Sequence, residues 1–154
     1  MKVLTKKQIR ELENAAVRNG LKHLQLMQRA GEAAFLYLMS CGIGYGRNIT
    51  LLCGSGNNGG DGFVVARKFS ELEKHGKIRV VLTEGEPSTP DARVMYENLD
   101  RQKIELLSWP EERTRTLDAL EDSGLVIDCV YGVGFHGSLP GAVQELFAQI
   151  NSAK

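Results

Sequence analysis

The sequence carries no excess charge of either sign: lysine plus arginine and aspartate plus glutamate each number 19. That balance leaves no net basic charge to draw the chain to nucleic acid. No apolar run approaches the roughly 18 residues that a membrane helix needs. The opening MKVLTKKQIREL starts a helix and holds no secretory signal core. Cysteine is scarce: three thiols cannot all pair and none stands in C-x-x-C spacing, which points to a reducing compartment. No internal repeat, low-complexity tract or linker interrupts the chain. A soluble, cytoplasmic protein with one domain over its 154 residues is expected.

Glycine is what the sequence does have. Five of the eleven residues in CGSGNNGGDGF, Cys53 to Phe63, are glycine, and a second cluster, YGVGFHGS, follows at Tyr131 to Ser138. Around them the hydrophobic pattern changes period. Thr5 and Gln8 spell a capping box ahead of a helix with Ile9, Leu12 and Ala16 on one face. Leu24, Met27, Gly31, Ala34 and Leu38 continue the helical rhythm until Gly42. From there four short aliphatic runs (NITLLC, KIRVVL, KIELLS, LVIDCVY) alternate with amphipathic stretches, and Val143, Leu146, Phe147 and Ile150 mark a last helix. Such alternation implies right-handed β-α-β crossovers. The expected fold is α/β: Rossmann-like, three-layered, with a mostly parallel sheet and two N-terminal helices. Ligands of such sheets bind at the carboxyl ends of the strands, where strand order reverses. The first strand, ending at Cys53, and the fourth, ending near Val130, are expected to be neighbours there, so the two glycine clusters converge.

The first cluster contains no lysine. A nucleotide-hydrolysing phosphate loop requires G-x-x-x-x-G-K-[ST], whereas Asp61 and Gly62 follow the glycines here. Gly54, Gly56 and Gly59 satisfy G-x-G-x-x-G, a weak signal alone, for which Glu84 or Glu86 would hold a ribose. Two asparagines and an aspartate add oxygens that such a turn does not require, and hard cations seek such oxygens. Asp128 interrupts an aliphatic strand, where an unpaired carboxylate costs several kcal/mol. Beside the glycine loop it reads as a site residue rather than a loop cap. His23 and His75 are read as solvated, Cys53 and Cys129 as buried small hydrophobes, and Trp109 as packing. Met27 and Met39 belong to an apolar helix face or to a dimer surface.

GSGNNGGDGFVVAR resembles the signature of the YjeF N-terminal family, the NAD(P)H-hydrate epimerases. LTKKQIRELENAA, LQLMQRAG, TPDARVMYENL and IDCVYGVGFHGSLPG extend the resemblance along essentially the whole chain. It implies epimerisation of the R and S forms of hydrated NADH or NADPH. It also implies a bound potassium ion, a homodimer through the N-terminal helices, and a fused or separate dehydratase as partner. Carried over by position, Asn57, Asn58, Gly59, Gly60 and Asp61 would contact substrate, as would Gly132, Val133, Gly134, Phe135, His136, Gly137 and Ser138. Asn58 and Asp128 would ligate potassium. Asp128 is also the candidate catalytic acid or base. The family has a further strand ending in Asp-x-Pro-Ser-Gly, with one more substrate contact and one more cation ligand. Residues 1–154 do not include it, so weak cation binding, an open edge beside LVIDCVY and little epimerase activity are expected of them. His136 stands where arginine is frequent, and Ser88 near a frequent lysine. The alternative is a non-catalytic dimerising or ligand-binding module of the same fold.

Overall fold

A computed structural model of the protein describes residues 4–74 and 76–152. His75, read above as solvated, lies outside them. Helices α1 (Lys6–Arg18) and α2 (His23–Ser40) precede β1 (Ile49–Cys53), α3 (Asn57–Ser70), β2 (Ile78–Leu82), α4 (Pro90–Glu97), β3 (Ile104–Ser108), α5 (Arg113–Glu121), β4 (Leu125–Cys129) and α6 (Gly141–Ser152). All four aliphatic runs are strands. They form one parallel sheet in the order β3-β2-β1-β4, with Cys53 level with Leu82 on one side and Cys129 on the other. Strand order therefore reverses between β1 and β4, as expected.

The central strands β1 and β2 are buried along their whole length, which is why they read as mostly aliphatic runs. One face packs against α2, α3 and α4 through Ile49, Leu51, Phe63, Phe69, Val80 and Ile104. The other packs against α5 and α6 through Leu52, Val81, Leu107, Val143 and Leu146. Trp109 is buried and donates its indole N–H to the Ala142 carbonyl at 2.7 Å, so it packs as read. Met27 is buried on α2, and Met39 is half-buried. Among the described residues no helix is long and apolar enough to cross a membrane.

Helix α1 forms where the sequence places it. Its capping box forms, with Gln8 N donating to Thr5 Oγ1 and Thr5 N to Gln8 Oε1. The apolar face is not core, however: α1 contributes no buried residue, and Leu12 is 57% exposed. Amphipathic spacing gives a helix an apolar stripe but does not say what covers it.

Candidate functional site

The stretch NNGGD, read as a loop, begins a helix. Gly56 is the extended N-cap of α3, and Asn57 through Asp61 form its first turns. Glycine weakens a helix interior by roughly 0.5–1 kcal/mol relative to alanine, so its presence needs a steric reason. At Gly59 a β-carbon would lie 1.9 Å from the Gly54 carbonyl oxygen. At Gly62 it would lie 2.8 Å from both Cys129 Cβ and Cys53 Sγ. These glycines let α3 settle onto the ends of β1 and β4. Gly59 and Gly60 are buried.

The surrounding segments are tied together by backbone. Gly54 N donates to Cys129 O at 3.3 Å, Thr83 N to Cys53 O at 3.0 Å, and Ser88 N to Ser55 O at 2.8 Å. The Ser88 hydroxyl donates to the same Ser55 oxygen at 3.0 Å. Ser88 thus clamps the glycine turn.

Above them opens a cleft of about 570 Å³. It brings together Asn57, Asn58 and Asp61 with Gly132, Val133, Gly134 and Phe135, as convergence of the two clusters predicts. Asn58 faces the second cluster: a β-carbon on Gly132 would stand 3.2 Å from Asn58 Oδ1. Phe135 packs on Tyr131 with ring centroids 4.2 Å apart. Gly137 turns the chain at φ +103°, a conformation that favours glycine. His136, Gly137 and Ser138 are exposed and do not line the cleft.

Asp128 requires a correction. It was expected as a carboxylate enclosed by aliphatic side chains, yet it is exposed, because β4 is the edge strand of the described sheet. Its Oδ1 accepts the Val130 N–H at 2.9 Å. Strand alternation puts it on the opposite face from Cys129, and it does not line the cleft.

Asp61 is the acid that the cleft does contain. Burial, and then the nearby negative charge of Glu13, push its carboxyl up to about 6. Glu13 belongs to α1, and His23 and Asp91 line a second hollow of about 150 Å³ on the same aspartate. Burial similarly lifts the Cys53 thiol well above its usual range and the Cys129 thiol to about 12. Both remain neutral, inert packing groups. Across the cleft the Tyr131 hydroxyl donates to Glu84 Oε1 at 2.7 Å. Burial and that carboxylate hold the phenol at about 12. Glu84, at the end of β2, is therefore engaged by the second glycine segment.

Sequence reasoning missed the wall formed by α1. Lys6, Ile9, Arg10 and Glu13 all line the cleft. Their spacing places them on one helix face. That stripe was legible, but it was passed over in favour of the apolar one.

The profile of the YjeF-related protein N-terminus family matches residues 23–154. A bifunctional NAD(P)H-hydrate repair enzyme from Coxiella burnetii is 35% identical over 148 residues, which are 96% of this chain and 28% of that protein. An NAD(P)H-hydrate epimerase from Rhodobacter capsulatus is 36% identical over 165 residues, covering 98% of this chain and 71% of the relative. Another from Elusimicrobium minutum is 30% identical, with 99% and 71% covered. The chain thus spans under a third of the bifunctional relative and over two thirds of the epimerases. A yeast crystal structure shares the fold at a TM-score of 0.81 and 22% identity, over 99% of this chain and 66% of the yeast chain.

Proposed function

We propose that this chain, which belongs to the YjeF-related protein N-terminal family, interconverts the R and S forms of hydrated NADH or NADPH. The observation that carries the reading is the cleft between the two glycine segments, with a proton-holding Asp61 in its wall. The hydrated ring carbon bears a hydroxyl beside the ring nitrogen. To epimerise, the hydroxyl leaves and returns on the other face, or the ring opens and recloses; both need a proton donor that becomes an acceptor. In the first route Asp61 gives its proton to the departing hydroxyl, which leaves as water while the nitrogen lone pair forms the iminium. Water then adds to either face and returns a proton to the Asp61 carboxylate. An acid near 6 holds and releases a proton close to neutral pH, whereas an ordinary aspartate near 3.8 is already ionised. Asp128, outside the cleft lining, is not given this role.

For potassium, the donor chemistry fits. Asn58 Oδ1 is an amide oxygen turned toward Gly132, and Asp128 keeps one carboxylate oxygen while the other accepts Val130 N–H. Both are hard oxygen donors flanking the turn after β4. When bound, the cation would supply positive charge to fix the second segment and attract phosphate. A rise in melting temperature in potassium chloride over sodium chloride, lost in Asp128→Ala, is the expected result.

Dimerisation through α1 and α2 is supported by exposed Leu12, Leu36 and Tyr37, which a second copy would cover. Sedimentation velocity tests it. A dehydratase acting on one epimer is the fitting partner, because epimerisation converts the other epimer into the one it accepts. We place the chain in the cytoplasm, which suits its three free thiols.

The deciding experiment follows purified R or S hydrated NADH by chromatography, with and without the chain. Faster equilibration than in buffer, slowed about a hundredfold in Asp61→Asn, supports the reading. Equal rates with and without the chain would refute it and leave a non-catalytic module of the same fold.

A further inference from the structure

We propose that α1 supplies a phosphate subsite: Lys6 and Arg10 hold the phosphate groups of the substrate at one end of the cleft, with His136, just outside the cleft lining, holding Lys6 in place. The geometry begins with a contact across 130 positions of sequence, Lys6 Nζ lying 3.2 Å from His136 Nε2. The lysine ammonium is a donor without an acceptor function, so the imidazole nitrogen accepts. That pairing brings no negative charge to the lysine. Among the described residues neither Lys6 nor Arg10 has a carboxylate partner, although both border the cleft.

The cleft-facing stripe of α1 is polarised. Lys6 and Arg10 stand toward its start, and Glu13 stands seven residues from Lys6, about 10 Å along the axis. Glu13 sits beside Asp61, so that end is acidic, and Glu84 adds a third carboxylate elsewhere on the rim. A substrate anion is attracted to Lys6 and Arg10 and repelled from Glu13. Its uncharged, reacting end is thereby delivered to the acid. The same contact answers for His136, which by itself is a poor phosphate ligand beside arginine: Lys6 restores a permanent charge at that point. The ligand class is a nucleoside diphosphate.

The proposal rests on the epimerase reading for the direction in which the substrate lies, but its test does not need the hydrated ring. Calorimetry compares adenosine diphosphate with adenosine, for the full chain and for Lys6→Ala, Arg10→Ala and the double variant. Because α1 buries no residue, the variants are expected to fold, with melting curves as the control. Wild type should bind the diphosphate more tightly than adenosine. Each single variant should weaken the diphosphate by about threefold to tenfold, the double more, with adenosine unaffected. Lys6→Arg should retain the preference. Equal affinities for diphosphate and adenosine in wild type, or a diphosphate affinity unchanged in the double variant, overturns the proposal. A chain with the phosphate preference but no epimerisation would strike the reaction and spare the subsite; the reverse result would strike the subsite alone.

Discussion

Two hollows lie at opposite ends of the same parallel sheet, and both are lined by charge. At the amino end, a hollow of about 420 Å³ holds Lys77, Arg79, Glu105, Arg115, Asp118 and Asp122. Its charges neutralise one another. Arg79, almost fully buried, reaches Glu105, Asp122 and the Ala119 carbonyl; Arg115 reaches Glu105 and Glu112; Lys77 reaches Asp122. The hydrogen bond from Arg79 holds the Asp122 carboxyl below its usual range. At the carboxyl end, Lys6, Arg10 and Asp61 face the cleft without an ion-pair partner among the described residues. A cavity with charged walls is thus not enough to mark a site. Charges left without a countercharge distinguish the carboxyl end from the amino end, where ion pairs serve stability.

Four measurements would break or sharpen that contrast. The largest effect is expected at Gly59→Ala, where even one β-carbon meets the Gly54 carbonyl oxygen at 1.9 Å. The backbone must shift, and a loss of about 3 kcal/mol or more by urea unfolding is expected, as for severe overpacking. A near-native unfolding midpoint would show that α3 can lift off the strand ends. Next, Glu105→Ala combined with Asp122→Ala leaves Arg79 buried with only a carbonyl acceptor. The urea midpoint should fall clearly. Nucleotide affinity should not change. Altered ligand binding in that variant would join the two ends functionally and break the comparison.

Asp61→Asn should act the other way on stability. The folded chain holds the Asp61 proton up to about 6, against an ordinary 3.8, so stability falls as pH rises between those values. Asparagine removes the fall, and roughly 1–3 kcal/mol should be gained at pH 7. Epimerisation should drop by about a hundredfold. If the wild type showed flat stability from pH 4 to 7, the strain assigned to this carboxyl would be absent. The smallest effect belongs to Gly56→Ala, whose β-carbon would meet nothing within 4 Å and whose φ of −91° suits any residue. Stability within about 0.5 kcal/mol of wild type is expected. A large loss there would mean that the motif's glycines share one role; we assign Gly59 to packing and leave Gly56 open to the cleft.

The fold was legible because its signals are local. Runs such as ITLLC and IRVVL are too short and too β-branched for helices, and the intervening segments repeat at helical spacing, so alternation dictated a parallel sheet. Convergence of the two glycine segments followed from the Rossmann-like strand order, which sets β1 and β4 side by side where the order reverses. The identity of the acid was not local. Asp61 and Asp128 each lie near a glycine cluster, and sequence favoured the one in an aliphatic strand; an edge position exposes Asp128, while Asp61, on the helix packed against α2 and α4, is half-buried in the cleft wall.

By itself, then, the sequence determined the element order, the two faces of the sheet and the meeting of NNGGD with GVGF, because spacing and handedness are properties of the chain. Tertiary structure alone decided that NNGGD is helix, that Gly59 serves packing, that Asp61 rather than Asp128 lies in the cleft, and that Lys6 meets His136. Those outcomes depend on distances between residues far apart in the chain, and on which charges water can reach. Neither is written in any one segment.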